Sequence, residues 1–244
     1  MSELSTAAVQ GPRSPGWLAR VAGVLVSPRR TLARALERGE WAGMLTGLAL
    51  VAAVCAGSFG ATAVGRQALR DNQVRSLESF GGTVTDAAYV RLGAVDRYAA
   101  AIGTARGLVG TPLVTFLLAG ILFGVFNGLL GGRARFRDVL IVATYAGVVL
   151  VLEQVIAAPL DYARQAMASP LNLSDLIPVF DQGTFASWLA GSINLFRLWW
   201  LGVLAIGLSQ VYDRRAARLG GALCGLYVLA GIILAAVQTA TGGV

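Results

Sequence analysis

The sequence of 244 residues contains neither histidine nor lysine, so all twenty of its basic residues are arginine. Without histidine, the chain cannot shuttle protons through an imidazole or bind a metal through imidazole nitrogens. Without lysine, the phosphate-binding loop G-x-x-x-x-G-K-[ST] cannot occur. We therefore predict no catalytic, cofactor-binding or metal site, and no cofactor.

Charge of either sign is also scarce, at 14% of residues, whereas 56% are hydrophobic. Soluble domains carry about 25% charged residues, so this composition indicates an integral membrane protein. The aspartates lie outside the apolar runs or at their edges, which argues against an intramembrane aspartyl protease. The two cysteines, Cys55 and Cys224, lie within apolar runs, where a cysteine packs as a small hydrophobe, so no disulfide is expected.

Five apolar stretches are long enough to cross a bilayer, whose hydrocarbon core of about 30 Å needs about 20 helical residues. We expect an all-α, polytopic membrane protein with five transmembrane helices. The predicted spans are 41–65, 107–132, 139–160, 188–212 and 219–244. The segment 66–106 is expected to lie outside the cytoplasm and to form a helix from Asp86 to Arg106 that leads into the second span.

The arginines between the spans predict the orientation. Six lie in the first forty residues, three in the RARFRD loop at 133–138 and three in the DRRAAR loop at 213–218. Because short arginine-rich loops stay in the cytoplasm, we expect a cytoplasmic N-terminus and an extracytoplasmic C-terminus. We also expect the protein to lie in the inner membrane. The net charge of +7 then reflects topology rather than nucleic-acid binding, which would need a basic face interleaved with stacking aromatics.

The N-terminal forty residues divide into an expected disordered tail, 1–16, and a pair of short amphipathic helices, 17–40. Ser27 is expected at the N-cap of the second helix and Pro28 at its first position. The arginines of this pair either bind anionic lipid or a partner, or only set the topology. The candidate contact residues are Arg20, Arg29, Arg30 and Arg34.

Glycines recur every fourth residue along the second predicted span and reduce one helix face to backbone. Such a face allows close helix packing, as in small-xxx-small motifs. We expect this ladder to pack against another helix of the same chain, with homo-oligomerisation as the alternative. The ladder consists of Gly120, Gly124, Gly128 and Gly132, and the pairs Gly43 with Gly47 and Gly221 with Gly225 repeat the spacing.

Two ionisable residues, Glu153 and Arg197, lie inside the third and fourth predicted spans. An arginine at mid-span costs about 2.5–3.5 kcal/mol, so it needs a partner or a function. Counted from the cytoplasmic edges, both residues lie roughly 22–24 Å deep, close to Gln154 and Asn194. We predict an ion pair between Glu153 and Arg197 that joins these spans. The alternative is that Arg197 extends to the nearby membrane surface.

Three runs of the sequence resemble bacterial members of the Yip domain family of five-span membrane proteins. They are VLVSPRRTLARALE before the first span, FRDVLIVATYAGVVLVL in the third, and INLFRLWWLGVLAIGLSQVYDRRAARLGGALCGLYVLAGIILA across the last two. The resemblance covers nearly the whole chain after residue 16 and implies five helices, a cytoplasmic N-terminus and no enzymatic activity. Eukaryotic relatives bind Rab-type GTPases, but the Asp-Leu-x-Gly-Pro motif of those relatives is missing here.

These features together predict a non-enzymatic scaffold or accessory protein that binds a membrane partner or organises lipid. The alternative is a component or auxiliary subunit of a membrane transporter, with Glu153 and Arg197 at its polar centre. The expected partners are the lipid bilayer, including anionic lipid, and either a second membrane protein or a second copy of the chain.

Overall fold

A computed structural model of the chain describes residues 16–79, 85, 93, 96–164 and 194–240. Eight helices are present in this part of the chain. They are α1 (Trp17–Val26), α2 (Pro28–Arg38), α3 (Ala42–Ala61), α4 (Ala63–Ser79), α5 (Asp96–Gly128), α6 (Phe136–Arg164), α7 (Leu195–Tyr212) and α8 (Ala216–Ala240). The tail predicted at 1–16 lies outside the described residues, except for Gly16.

Five of these helices, α3, α5, α6, α7 and α8, are long and apolar enough to cross a membrane. The predicted all-α fold with five membrane spans is thereby confirmed. The second span begins at Asp96 rather than at residue 107, so the part of the expected helix from Asp96 to Arg106 belongs to α5. Residues 86–92, 94 and 95 of that expected helix lie outside the described residues. Residues 188–193, predicted to open the fourth span, lie outside the described residues, and α7 begins at Leu195.

Helix α4 was not predicted, and Thr62 explains why it exists as a separate element. This residue is extended, with φ −80° and ψ 155°, and ends α3. Its hydroxyl accepts a hydrogen bond from the backbone N–H of Gly65 at 2.9 Å, which satisfies one free donor at the start of α4. A single threonine therefore ends one helix and caps the next.

Helix α6 lies at the centre of the bundle. In the apolar 18-residue stretch of each span, the buried share is 61% in α6, 11% in α5 and 6% in α8. Helix α6 carries valine, isoleucine or leucine at 12 of its 29 positions and these residues are not confined to one face, as expected for a helix surrounded by others. Tyr145, near its middle, is the largest fully buried side chain among the described residues. Helices α3, α5 and α7 pack against α6, whereas α8 packs against α7.

Helices α3 and α5 approach to backbone contact through small residues. A Cβ added at Gly60 would lie 2.7 Å from the carbonyl oxygen of Ala99, and one added at Gly103 would lie 2.5 Å from that of Ala56. A Cβ at Gly107 would overlap the backbone of α3 at Ala53. These three glycines allow the close helix packing that the sequence predicted for the ladder that begins at Gly120.

Candidate functional site

Helices α1 and α2 form a hairpin that packs onto the spans. Val24 and Leu32 are fully buried and Ala35 nearly so, within the same hydrophobic core cluster as α6. Ser27 and Pro28 occupy the predicted positions at the start of α2. The Ser27 hydroxyl does not cap α2, however, because it donates to the carbonyl of Gly23, 3.4 Å away.

Hydrogen bonds hold both ends of α2 to the spans. At its start, Nε2 of Gln210 in α7 donates to the carbonyl oxygen of Arg29 at 3.1 Å. At its end, Nη2 of Arg137 in α6 donates to the carbonyl oxygen of Gly39 at 2.7 Å. Gly39 has φ 66°, a left-handed conformation that favours glycine and ends the helix. The helix pair is therefore fixed relative to α6 and α7.

The predicted contact arginines of this pair fall into two groups. Arg20 is half-buried, and its Nη1 lies 2.8 Å from the Glu40 carboxylate in an ion pair. The other predicted contact residues, Arg29, Arg30 and Arg34, are exposed, as is Arg38.

Helix α1 also exposes apolar side chains. Leu18 is 75% exposed and Val26 is 86% exposed, and their spacing of eight residues places them on one helix face. On another face, Trp17 packs against Gly47, five residues after the start of α3. This contact places the N-terminal end of α1 roughly 8 Å past the start of α3. The exposed apolar face of α1 therefore begins beside the first turns of the first span.

A cavity of about 230 Å³ lies between α1, α2 and α6. Three arginines line it, Arg20, Arg34 and Arg38, together with Glu40 and with Tyr145 of α6. The Nε atom of Arg20 is buried and has no hydrogen-bond partner in the described part of the chain. The cavity thus combines a positive lining with a buried donor.

A polar cluster joins α6, α7 and α8 at the start of α7, whereas the contact of α7 with α2 lies near its other end. Asn194 is 2% exposed, and its Nδ2 donates to Oε1 of Glu153 at 2.6 Å. Its backbone N–H faces the hydroxyl oxygen of Tyr227 at 3.4 Å. Its Oδ1 accepts from the backbone N–H of Phe196 at 2.8 Å and from that of Arg197 at 3.3 Å. Asn194 therefore caps α7 while it binds the carboxylate of α6.

The structure does not bring Glu153 and Arg197 into a direct ion pair. Between described side chains, ion pairs within 4.0 Å join Arg20 to Glu40, Arg70 to Asp96 and Arg135 to Asp138. Arg197 lies in the first turn of α7 and is exposed, because α7 begins only two residues earlier. Asn194 makes the contact with the Glu153 carboxylate that the sequence predicted for Arg197. The sequence indicates Asn194 only as a polar residue at a similar depth.

The glycine ladder is open to the other described helices over most of its length. A Cβ added at Gly120, Gly124 or Gly128 would meet no atom within 4 Å among the described residues. Within the ladder, only Gly132 has described neighbours, with Cε1 of Tyr212 at 2.6 Å from an added Cβ. The packing of the first three glycines within the chain therefore stays a prediction, and none of the described helices supplies it. Gly221 and Gly225 in α8 are equally open.

The arrangement of these helices identifies the class of protein. Five membrane-compatible helices form a bundle with α6 at its centre, and an amphipathic basic helix pair packs at one end, as in a polytopic α-helical membrane protein. The family model of the Yip1 domain matches residues 22–238, and the chain belongs to this family of membrane proteins, which is not known as enzymatic. The resemblance predicted from the sequence is thus confirmed at the level of the family.

Searches of the curated proteins and of the solved structures found no match to the chain. In the part of the chain that the structure describes, no group of three or more histidine, cysteine, aspartate or glutamate residues could hold a metal ion.

Proposed function

We propose that the protein is a non-enzymatic membrane scaffold that organises anionic lipid in the leaflet that contains α1 and α2. One observation carries this proposal. The helix pair is fixed to the spans, and it presents an apolar face on α1 beside exposed arginines on α2.

The physical argument combines two contributions. Apolar side chains that insert among acyl chains, such as Leu18 and Val26, gain about 25 cal/mol per Å² of buried surface. Each arginine near an anionic leaflet contributes about 1 kcal/mol, and the helix pair exposes four. Because hydrogen bonds hold α2 to α6 and α7, little ordering cost opposes this contact. The predicted orientation places the pair in the cytoplasmic leaflet, where anionic lipids are concentrated.

The test compares two pairs of exposed arginines at the same end of the bundle. The full-length protein is reconstituted in vesicles of phosphatidylcholine with a minor share of phosphatidylglycerol, and native mass spectrometry counts the lipids that remain bound. The variant R29Q/R30Q should retain less phosphatidylglycerol than the wild type. The variant R214Q/R215Q removes the same charge from the exposed loop between α7 and α8, and should retain more than R29Q/R30Q. Equal retention by both variants would contradict a specific role of the helix pair.

A second candidate function is the binding of a helix from a membrane partner at the open glycine face of α5. Glycine is less favourable than alanine in a helix by about 1 kcal/mol, so three open glycines on one face call for a contact outside the described residues. G124L should block copurification of a membrane protein at fixed stoichiometry. G225L, at an equally open site on α8, should leave it unchanged. A partner retained by G124L would exclude this role.

The transport alternative would need a water-filled path to Glu153. The cavity between α1, α2 and α6 is not lined by Glu153, nor is a smaller one of about 60 Å³ between α4 and α5. Glu153 instead binds Asn194 inside the polar cluster of α6, α7 and α8. This arrangement supports a structural role for Glu153 and favours the scaffold over the transporter.

A further inference from the structure

We propose that the cavity between α1, α2 and α6 binds the phosphate of one anionic phospholipid headgroup, held by Arg20, Arg34 and Arg38. This inference rests on the proposed function and deepens it, because it adds a single saturable site to the general attraction of the exposed arginines. The site lies at the inner side of the helix pair, whereas Arg29 and Arg30 lie outside it.

The size of the cavity suits a headgroup. Its volume is about 230 Å³, whereas a water molecule in the liquid occupies about 30 Å³. The space therefore exceeds what a small inorganic ion fills and leaves room for a phosphate with its ester substituent. Its walls are formed by side chains of α1, α2 and α6, and the hydrogen bond from Arg137 to Gly39 holds α2 to α6.

The charge of the lining suits an anion. Three guanidinium groups face one carboxylate, that of Glu40, which is already engaged by Arg20. Arg34 and Arg38 lie four residues apart on α2 and therefore on one helix face. A guanidinium group offers parallel N–H donors that match the geometry of two phosphate oxygens. The lining thus favours an oxyanion with several acceptor oxygens.

Arg20 is held in place at the wall of the cavity. Glu40 takes a hydrogen bond from Nη1 of Arg20 at 2.8 Å and fixes the guanidinium there. The Nε atom of the same group is buried away from solvent. A phosphate in the cavity would therefore meet the outer N–H groups of this guanidinium, together with those of Arg34 and Arg38.

The surroundings favour a lipid over a soluble phosphate ester as the source of the phosphate. The contact between Trp17 and Gly47 places α1 beside the first span, and Leu18 and Val26 expose apolar surface on the same helix. A phospholipid whose phosphate lies in the cavity can therefore place its acyl chains against α1. A soluble ester would gain nothing from this apolar surface.

The test measures saturable binding to the full-length protein in detergent. Short-chain phosphatidylglycerol is titrated, with phosphatidylcholine of the same chain length as the neutral control, and the increase in melting temperature gives the Kd. R34Q/R38Q should weaken phosphatidylglycerol binding at least tenfold, which corresponds to about 1.4 kcal/mol. R29Q/R30Q carries the same charge change on the same helix outside the cavity, and should weaken it less than twofold.

A second variant tests the cavity without altering charge. Ala19 lines the cavity and is exposed, so A19F should fill the space and weaken binding as strongly as R34Q/R38Q while the melting temperature without lipid stays unchanged. Equal weakening by R29Q/R30Q and R34Q/R38Q, or unchanged binding by A19F, would overturn the cavity site and leave the proposed function standing. Glycerol phosphate that saturates the site at the same concentration as the lipid would overturn the lipid source.

Discussion

The close contact between α3 and α5 makes a quantitative prediction at Gly107. This glycine is buried, and a Cβ at its position would overlap the Cα and N atoms of Ala53. The G107A variant must therefore separate the two helices, and inserting a methyl group into a tightly packed contact costs about 1–3 kcal/mol. Alanine also raises helix propensity by about 1 kcal/mol relative to glycine, which partly offsets this cost.

The variant G120A isolates the packing cost. Gly120 lies in the same helix, but its Cβ would meet no described atom within 4 Å. The propensity gain cancels between the two variants, so the free energy of unfolding of G107A should be lower than that of G120A by about 1–3 kcal/mol. Titration with sodium dodecyl sulfate in mixed micelles, followed by tryptophan fluorescence, measures both. A difference below about 0.5 kcal/mol would refute the backbone contact between α3 and α5.

Two further predictions concern the polar cluster of α6, α7 and α8. N194A removes the cap of α7 and the donor to Glu153, so it should lower the free energy of unfolding by about 1–3 kcal/mol. N194D keeps the cap acceptor but places a second carboxylate beside Glu153, so it should also be less stable than the wild type. Wild-type stability of N194D would contradict the contact between Asn194 and Glu153. R197Q changes an exposed side chain and should stay within about 0.5 kcal/mol of the wild type in the same titration, whereas E153Q should be less stable than R197Q. Equal losses for these two variants, with recovery in the charge-swapped double variant, would instead indicate the direct ion pair.

The five spans could be predicted because bilayer thickness acts on length and composition alone. A helix that crosses the hydrocarbon core needs about 20 apolar residues wherever it packs, so the stretches are visible without a neighbour. The start of α5 at Asp96 was missed because the residues from Asp96 to Arg106 include charges that a hydropathy argument places outside the membrane. Helix α4 was not predicted from the sequence, because its residues are mostly polar and form only a weak apolar face.

The packing partners of the glycines could not be predicted, because helical spacing shows that a face is small and leaves open what it meets. Gly103 and Gly107 have the same spacing as the ladder at Gly120 and Gly124, yet only the first pair contacts α3. The choice depends on which face of α5 is turned toward α3, and the sequence of α5 from Thr111 to Phe123 is apolar on every side.

The sequence by itself determined the class of protein, the number of spans and the positions of the basic helices, since these follow from hydropathy, length and arginine distribution. Only the tertiary structure decided which polar groups meet. Depth along two helices matched Glu153 with Arg197, but the rotation of α7 and its start at Leu195 place Asn194 against the carboxylate instead. In the same way, the packing of α1 and α2 against α6 brings three arginines to the lining of one cavity. Depth is a property of one helix, whereas contact depends on the rotation of two helices about their axes.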